Sequence, residues 1–243
     1  YQGHTSKTFN VHVRDDDKEY DRDYAEMDAL MHKAITIIQF KAEGQLIKEH
    51  PEWDMKERLL LDKIDYENGT IKLNGKEYPL NDTYFPTIDP KDPYKFTQQE
   101  EDVVERLKNS FLGSERLQRH IRFLYTKGSL YKVYNGNLLY HGCVPMNDDG
   151  SFMKVNIYGK TYSGKALYDI LEHYARKGYY SIEPAEKKRG EDILWFIWKN
   201  KHSPVFGKER MATFERYFID DKETHEEPKN AYYRLFEKEE IVD

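Results

Sequence analysis

The chain reads as a mixed α/β protein. Apolar residues recur at helical three- and four-residue steps in several stretches, and Asn-Gly pairs twice join short β-prone runs. With 20 Tyr, 12 Phe and 3 Trp among 243 residues, the chain is folded rather than low-complexity, although 34% of it is charged.

From Tyr24 to His50, Met27, Leu30, Met31, Ala34, Ile35, Ile38, Ala42 and Ile47 mark one face of a helix, which Pro51 stops. In TIKLNGKEYPL, Asn74-Gly75 predicts a two-residue type I′ hairpin. NDTYFPTIDPKDPYKFT, with Pro86, Pro90 and Pro93, reads as an irregular connection ending at Thr97, which caps a helix carrying Val103, Val104 and Leu107.

Gly113 interrupts that helix, and Ser114 caps the next, SERLQRHIRFLYTKG, which Gly128 closes. Asn135-Gly136 in SLYKVYNGNLLYHG predicts a second hairpin. Leu138, Leu139 and Tyr140 are apolar on both faces, as in a strand covered from both sides. VNIYGKTYSG reads as a third hairpin, and Ser163 as the cap of a helix reaching about Lys177. Glu191 to Lys199 reads as a helix buried around Trp195 and Trp198, and NAYYRLFEKEEI as a last helix.

A formal net charge of −6 argues against general affinity for nucleic acid or an anionic membrane surface, so any phosphate site is local. The longest apolar run, ILWFIW (193–198), is far short of the roughly 20 residues of a membrane-spanning helix. One cysteine forms no internal disulfide, and a reducing cytoplasm is the expected location.

His141 carries the chemistry of interest. An imidazole at a strand end, followed by Gly142, is a common way to present a metal ligand; the plain alternative is a buried histidine satisfied by a backbone carbonyl. Cys143, without a cysteine partner, reads as packing rather than as a thiolate. DDKETHEE, with Asp221, His225 and Glu227, and the stripe Arg116, Arg119 and Arg122 read as solvated charge.

The string LLYHGCVP resembles the strand-end His-Gly-Gly segment of calcineurin-like metallophosphatases. More specifically, six segments in order are similar to class III fructose-1,6-bisphosphatase. They are MHKAITIIQFKAEGQLI (31–47), RLLLDKIDYENGTI (58–71), NDTYFPTIDPKDPY (81–94), LQRHIRFLY (117–125), YNGNLLYHGCVPMNDDGSF (134–152) and FGKERMATFERYFIDDKETHEEPKNAYY (206–233).

The resemblance implies an α/β fold belonging to a calcineurin-like β-sandwich flanked by helices, incomplete in this chain. Residues 1–23 would be irregular, 24–128 a mainly helical insertion-like segment with a hairpin, and 129–243 a second-sheet region with flanking helices. It implies the middle or C-terminal part of one longer domain, since that superfamily's Asp-x-His, GDxxDRG and GNHD motifs do not occur here.

For activity, the resemblance implies hydrolysis of fructose 1,6-bisphosphate to fructose 6-phosphate and phosphate, in gluconeogenesis, with a dinuclear Mn²⁺ site completed by residues outside this chain. His141 would be a ligand to one ion and neither acid nor base, and the fragment itself would be inactive. Lys208, Arg210 and Arg216 are candidates for holding a substrate phosphate, because guanidinium and ammonium groups suit phosphate. Expected partners are the sugar bisphosphate and a second copy in a homo-oligomer, with neither nucleic acid nor membrane. A phosphoprotein or dinucleotide-polyphosphate phosphatase, and a non-catalytic binding or assembly module, remain open alternatives.

Overall fold

The computed structural model describes residues 22–237. Residues 22–107 with 212–226 form one compact unit, and 108–211 with 227–237 a second. The irregular stretch expected over 1–23 lies outside the described residues except for Arg22 and Asp23, which open the first helix.

In the first unit, helix α1 (Arg22–Glu49) ends two residues before Pro51, the expected stop, and a sheet of β1 (Ile64–Asp65), β2 (Thr70–Leu73) and β3 (Lys76–Pro79) follows in antiparallel order β1-β2-β3. Asn74 and Gly75 have φ of 49° and 82°, the positive pair that the predicted turn demands. Only one face of this sheet is buried, through Ile71, Leu73 and Tyr78. These residues share a core with Ile37 and Phe40 of α1 and with Phe214 and Phe218 of α6 (Thr213–Phe218), a short helix that the periodicity did not reveal.

The buried face of α1 differs from the expected stripe. Met27, Met31 and Ile35 are exposed, while Lys33, Ile37 and Lys41, spaced by four, are fully buried. The reason is electrostatic. Lys33 ion-pairs with Asp82 at 2.7 Å and donates to the Tyr84 carbonyl, and Lys41 ion-pairs with Glu100 at 2.7 Å and donates to the Thr87 carbonyl. A hydropathy rule sends those lysines to solvent; here they tie the proline-rich connection to the helix.

The same Glu100 completes a capping box at α2 (Gln98–Gly113). Its amide donates to Thr97 Oγ1 at 3.2 Å, and its carboxylate accepts from the Thr97 amide at 2.8 Å. Thr97 is thus the expected cap. Arg58 and Glu215 close the unit with two parallel hydrogen bonds, Nη1 to Oε1 at 2.5 Å and Nη2 to Oε2 at 3.1 Å.

In the second unit, α3 (Glu115–Lys127) begins at Ser114, whose hydroxyl accepts from the Leu117 amide, and ends at Gly128 as expected. Two two-stranded antiparallel sheets follow, β4 (Tyr131–Tyr134) with β5 (Asn137–Tyr140) and β6 (Val155–Ile157) with β7 (Lys160–Tyr162). Helices α4 (Gly164–Tyr180) and α5 (Pro184–Lys199) pack against each other through a backbone-to-backbone crossing. A Cβ on Gly190 would lie 2.1 Å from the Gly178 nitrogen.

Three expectations are corrected here. Ser163 occupies the N-cap position of α4 but makes no capping hydrogen bond. Helix α5 begins at Pro184, a residue suited to a first turn, and buries Ile193, Phe196 and Ile197, whereas Trp198 is 53% exposed. The strand β5 is exposed along Asn137, Leu138 and Leu139, and α4 meets the hairpin only at its other end, where Tyr131 and Tyr140 pack edge-on against Tyr168. The final helix is a single turn, α7 (Tyr232–Leu235), and the remainder of its expected span beyond residue 237 lies outside the described residues.

Candidate functional site

His141 follows β5 directly. Its side chain is exposed and makes no hydrogen bond or ion pair with the described residues, so the buried, carbonyl-satisfied alternative is excluded. What is buried is the backbone behind it. Gly142 has φ of +92°, and a Cβ there would lie 2.2 Å from the Pro204 oxygen and 2.8 Å from that of Val205. The Cys143 amide donates to the Pro204 carbonyl at 2.7 Å, and the buried Tyr168 hydroxyl of α4 donates to the Cys143 carbonyl at 2.7 Å.

The loop supplying Pro204 is itself held by hydrogen bonds through Ser203. Ser203, buried, donates through its hydroxyl to the Ile197 carbonyl at 2.5 Å and accepts from the Val205 and Phe206 amides. Asn230 then draws residues 227–237 into the same region: its side-chain oxygen accepts from the Met146 and Tyr232 amides, and its own amide donates to the Gly207 carbonyl. The Tyr140 and Tyr232 hydroxyls also hydrogen-bond to each other.

The donor set around His141 is narrow. Burial pushes the Cys143 thiol up to about 12, so it stays protonated and is no thiolate ligand at neutral pH. Among the described residues, no group of three or more His, Cys or carboxylate ligand atoms includes His141. These residues therefore fit one coordination position: an imidazole whose ring nitrogens are engaged by none of the described residues, on a backbone pinned from two sides.

The phosphate candidates are distributed differently. Lys208 and Arg210 belong to the second unit and Arg216 to the first. Lys208 ion-pairs with Glu227 at 2.6 Å, and Arg216 donates to the His225 carbonyl at 3.2 Å, so an incoming phosphate would compete with internal partners. Arg210 is half-buried. The residues that the sequence reading missed are Tyr168, Ser203 and Asn230; the Ser203-Pro204 pair is a turn signal, but nothing local links it to His141.

The profile of the Firmicute fructose-1,6-bisphosphatase family matches residues 1–243. The chain belongs to that family. Among similar proteins, the class 3 fructose-1,6-bisphosphatase of Clostridium novyi (strain NT) is 57% identical over 213 residues, 87% of this chain and 32% of the relative. That of Clostridioides difficile (strain 630) is 58% identical over 212 residues, covering 87% and 32%. The Clostridium acetobutylicum protein is 51% identical over 242 residues, covering 99% and 36%. The chain thus spans about a third of the length of the curated relatives it matches. No solved structure matches it. No helix among the described residues of this family member is long and apolar enough to cross a membrane.

Proposed function

We propose that this chain is one part of a metal-dependent fructose-1,6-bisphosphatase that hydrolyses fructose 1,6-bisphosphate to fructose 6-phosphate and phosphate in gluconeogenesis, within a calcineurin-like β-sandwich. The observation that carries the reading is His141: its ring is exposed and unbonded, while Gly142 and Cys143 behind it are clamped against Pro204 and Tyr168.

In this reading His141 ligates one ion of a dinuclear Mn²⁺ centre whose other ligands come from polypeptide outside residues 1–243. Such ions, when bound, supply charge stabilisation to a transferring phosphoryl group. His141 would orient one ion and move no proton. Lys208, Arg210 and Arg216 are the candidate phosphate contacts in this reading, since guanidinium and ammonium groups suit phosphate. One imidazole does not hold two cations, so these residues alone would be inactive.

The test replaces His141 with Ala in the full-length protein. The expected outcome is loss of bound Mn²⁺ and a fall in fructose 1,6-bisphosphate turnover of at least about 100-fold. Unchanged Mn²⁺ stoichiometry with unchanged turnover would sink the assignment.

A further inference from the structure

The His141 side chain is exposed, so the direction of its Cα–Cβ bond, and with it the reach of the imidazole, follows from the peptide planes on either side. A tyrosine hydroxyl holds each flank. On the C-terminal side, the Tyr168 hydroxyl of α4 donates to the Cys143 carbonyl at 2.7 Å in a fully buried bond, with Tyr168 4% and Cys143 0% exposed. On the N-terminal side, the Tyr140 hydroxyl is hydrogen-bonded to that of Tyr232 in α7. The partners stand 25 and 92 residues apart in the chain, so neither bond is a product of local turn geometry.

The two anchors form one assembly. The Tyr140 ring meets Tyr168 edge-on at 6.2 Å and Tyr232 edge-on at 6.4 Å, and Tyr131, paired with Tyr140 across the hairpin, meets Tyr168 at 5.7 Å. Asn230 fixes the Tyr232 end, because its side-chain oxygen accepts from the Tyr232 and Met146 amides. All of these residues belong to the second unit. Leu138 and Leu139 of the same hairpin are exposed, so the ordering is concentrated where His141 leaves the strand.

We infer that Tyr168 and Tyr232 are positioning residues for His141: each hydroxyl anchors one flank of the histidine, and together they hold its imidazole in the orientation in which it meets a divalent cation. Neither tyrosine touches the cation or the substrate, and neither moves a proton. Removing a group that orients a metal ligand costs about 10- to 100-fold in metal affinity. The inference rests on the reading of His141 as a ligand.

The test uses the full-length protein, prepared metal-free and titrated with Mn²⁺. Y168F and Y232F each delete one hydroxyl and keep the ring. Y66F deletes a comparable bond in the first unit, from the Tyr66 hydroxyl to the Leu61 carbonyl at 3.0 Å, and serves as control. The Kd for Mn²⁺ is expected to rise at least about 10-fold in Y168F and in Y232F, and less than about 2-fold in Y66F. Saturating Mn²⁺ should restore the native number of bound ions in both of the first two variants and not in H141A, because an orienting group sets affinity whereas a ligand defines the coordination position. Tyr232 is half-buried, so water can replace its partner, and Y232F decides the matter if Y168F does not fold.

Native affinity in either folded variant overturns the inference, as does an equal loss in Y66F, which would report general stability. Native Mn²⁺ stoichiometry in H141A would sink the ligand reading itself. Loss of an ion in H141A with native affinity in Y168F and Y232F would overturn this inference alone.

Discussion

The Cys143 amide donates to the Pro204 carbonyl at 2.7 Å, which holds the segment after His141 against a loop distant in sequence. Between the two lies Gly142, with no room for a side chain and a backbone conformation that L residues rarely adopt. The consequence for Gly142→Ala is direct. The added carbon meets backbone oxygens rather than a yielding side chain, so about 2–4 kcal/mol of destabilisation is expected, and, on the metal-ligand role proposed for His141, weaker Mn²⁺ binding by the full-length protein. Thermal unfolding together with metal titration checks this; an unshifted melting temperature would contradict it.

Gly44 offers a second test, in which two effects oppose each other. Alanine inside a helix is worth about 1 kcal/mol over glycine. A Cβ on Gly44, however, would sit 2.0 Å from Tyr94 Cδ1, and Tyr94 is held by the Asp62 amide, which donates to its hydroxyl, and by the Gln45 side chain, which donates to its backbone carbonyl. Overpacking costs about 1–3 kcal/mol, so Gly44→Ala is expected to destabilise despite its helix propensity. In the background Tyr94→Leu the sign should reverse, and denaturant melts of the two pairs measure it.

Arg58 and Glu215 form a buried bidentate pair, with side chains 14% and 3% exposed. Removing one member strands the other, so Glu215→Ala is expected to cost about 3–5 kcal/mol. Replacing both with apolar residues, R58M with E215L, should cost far less. A double-mutant cycle by chemical denaturation reports the difference as coupling.

The pH dependence centres on Glu172. Partial burial raises its carboxyl pKa, but hydrogen bonds from the Ser129 hydroxyl, Arg176 and the Leu130 amide outweigh that and hold it below the ordinary glutamate value of 4.5. A carboxyl depressed on folding stabilises the native state above its unfolded pKa, and this contribution is lost as pH falls through the folded value. Stability should therefore decline below about pH 4.5, and Glu172→Gln should flatten that part of the profile while lowering stability at neutral pH. Thermal melts from pH 3 to 7 decide the matter; parallel profiles would refute the assignment.

Much of the local structure was legible because its causes are local. Asn74-Gly75 and Asn135-Gly136 adopt positive φ because those residue types tolerate it, Thr97 and Ser114 bound helices through bonds made within a few residues, and Pro51 stops one because it has no N–H to donate. The family was legible as well, because six ordered strings carry far more information than any single histidine.

Facing was not legible. Which side of α1 is buried depends on Asp82 and Glu100, carboxylates distant in the chain that make Lys33 and Lys41 better core residues than Met27 and Met31. The setting of His141 depended likewise on contacts at long range. The residues alone marked it as a candidate ligand, and only the folded chain set Pro204 and Tyr168 behind it and left its ring outside. Turns, caps and family wording are written in neighbouring residues; burial and the presentation of a side chain are decided by whichever distant surface packs against it.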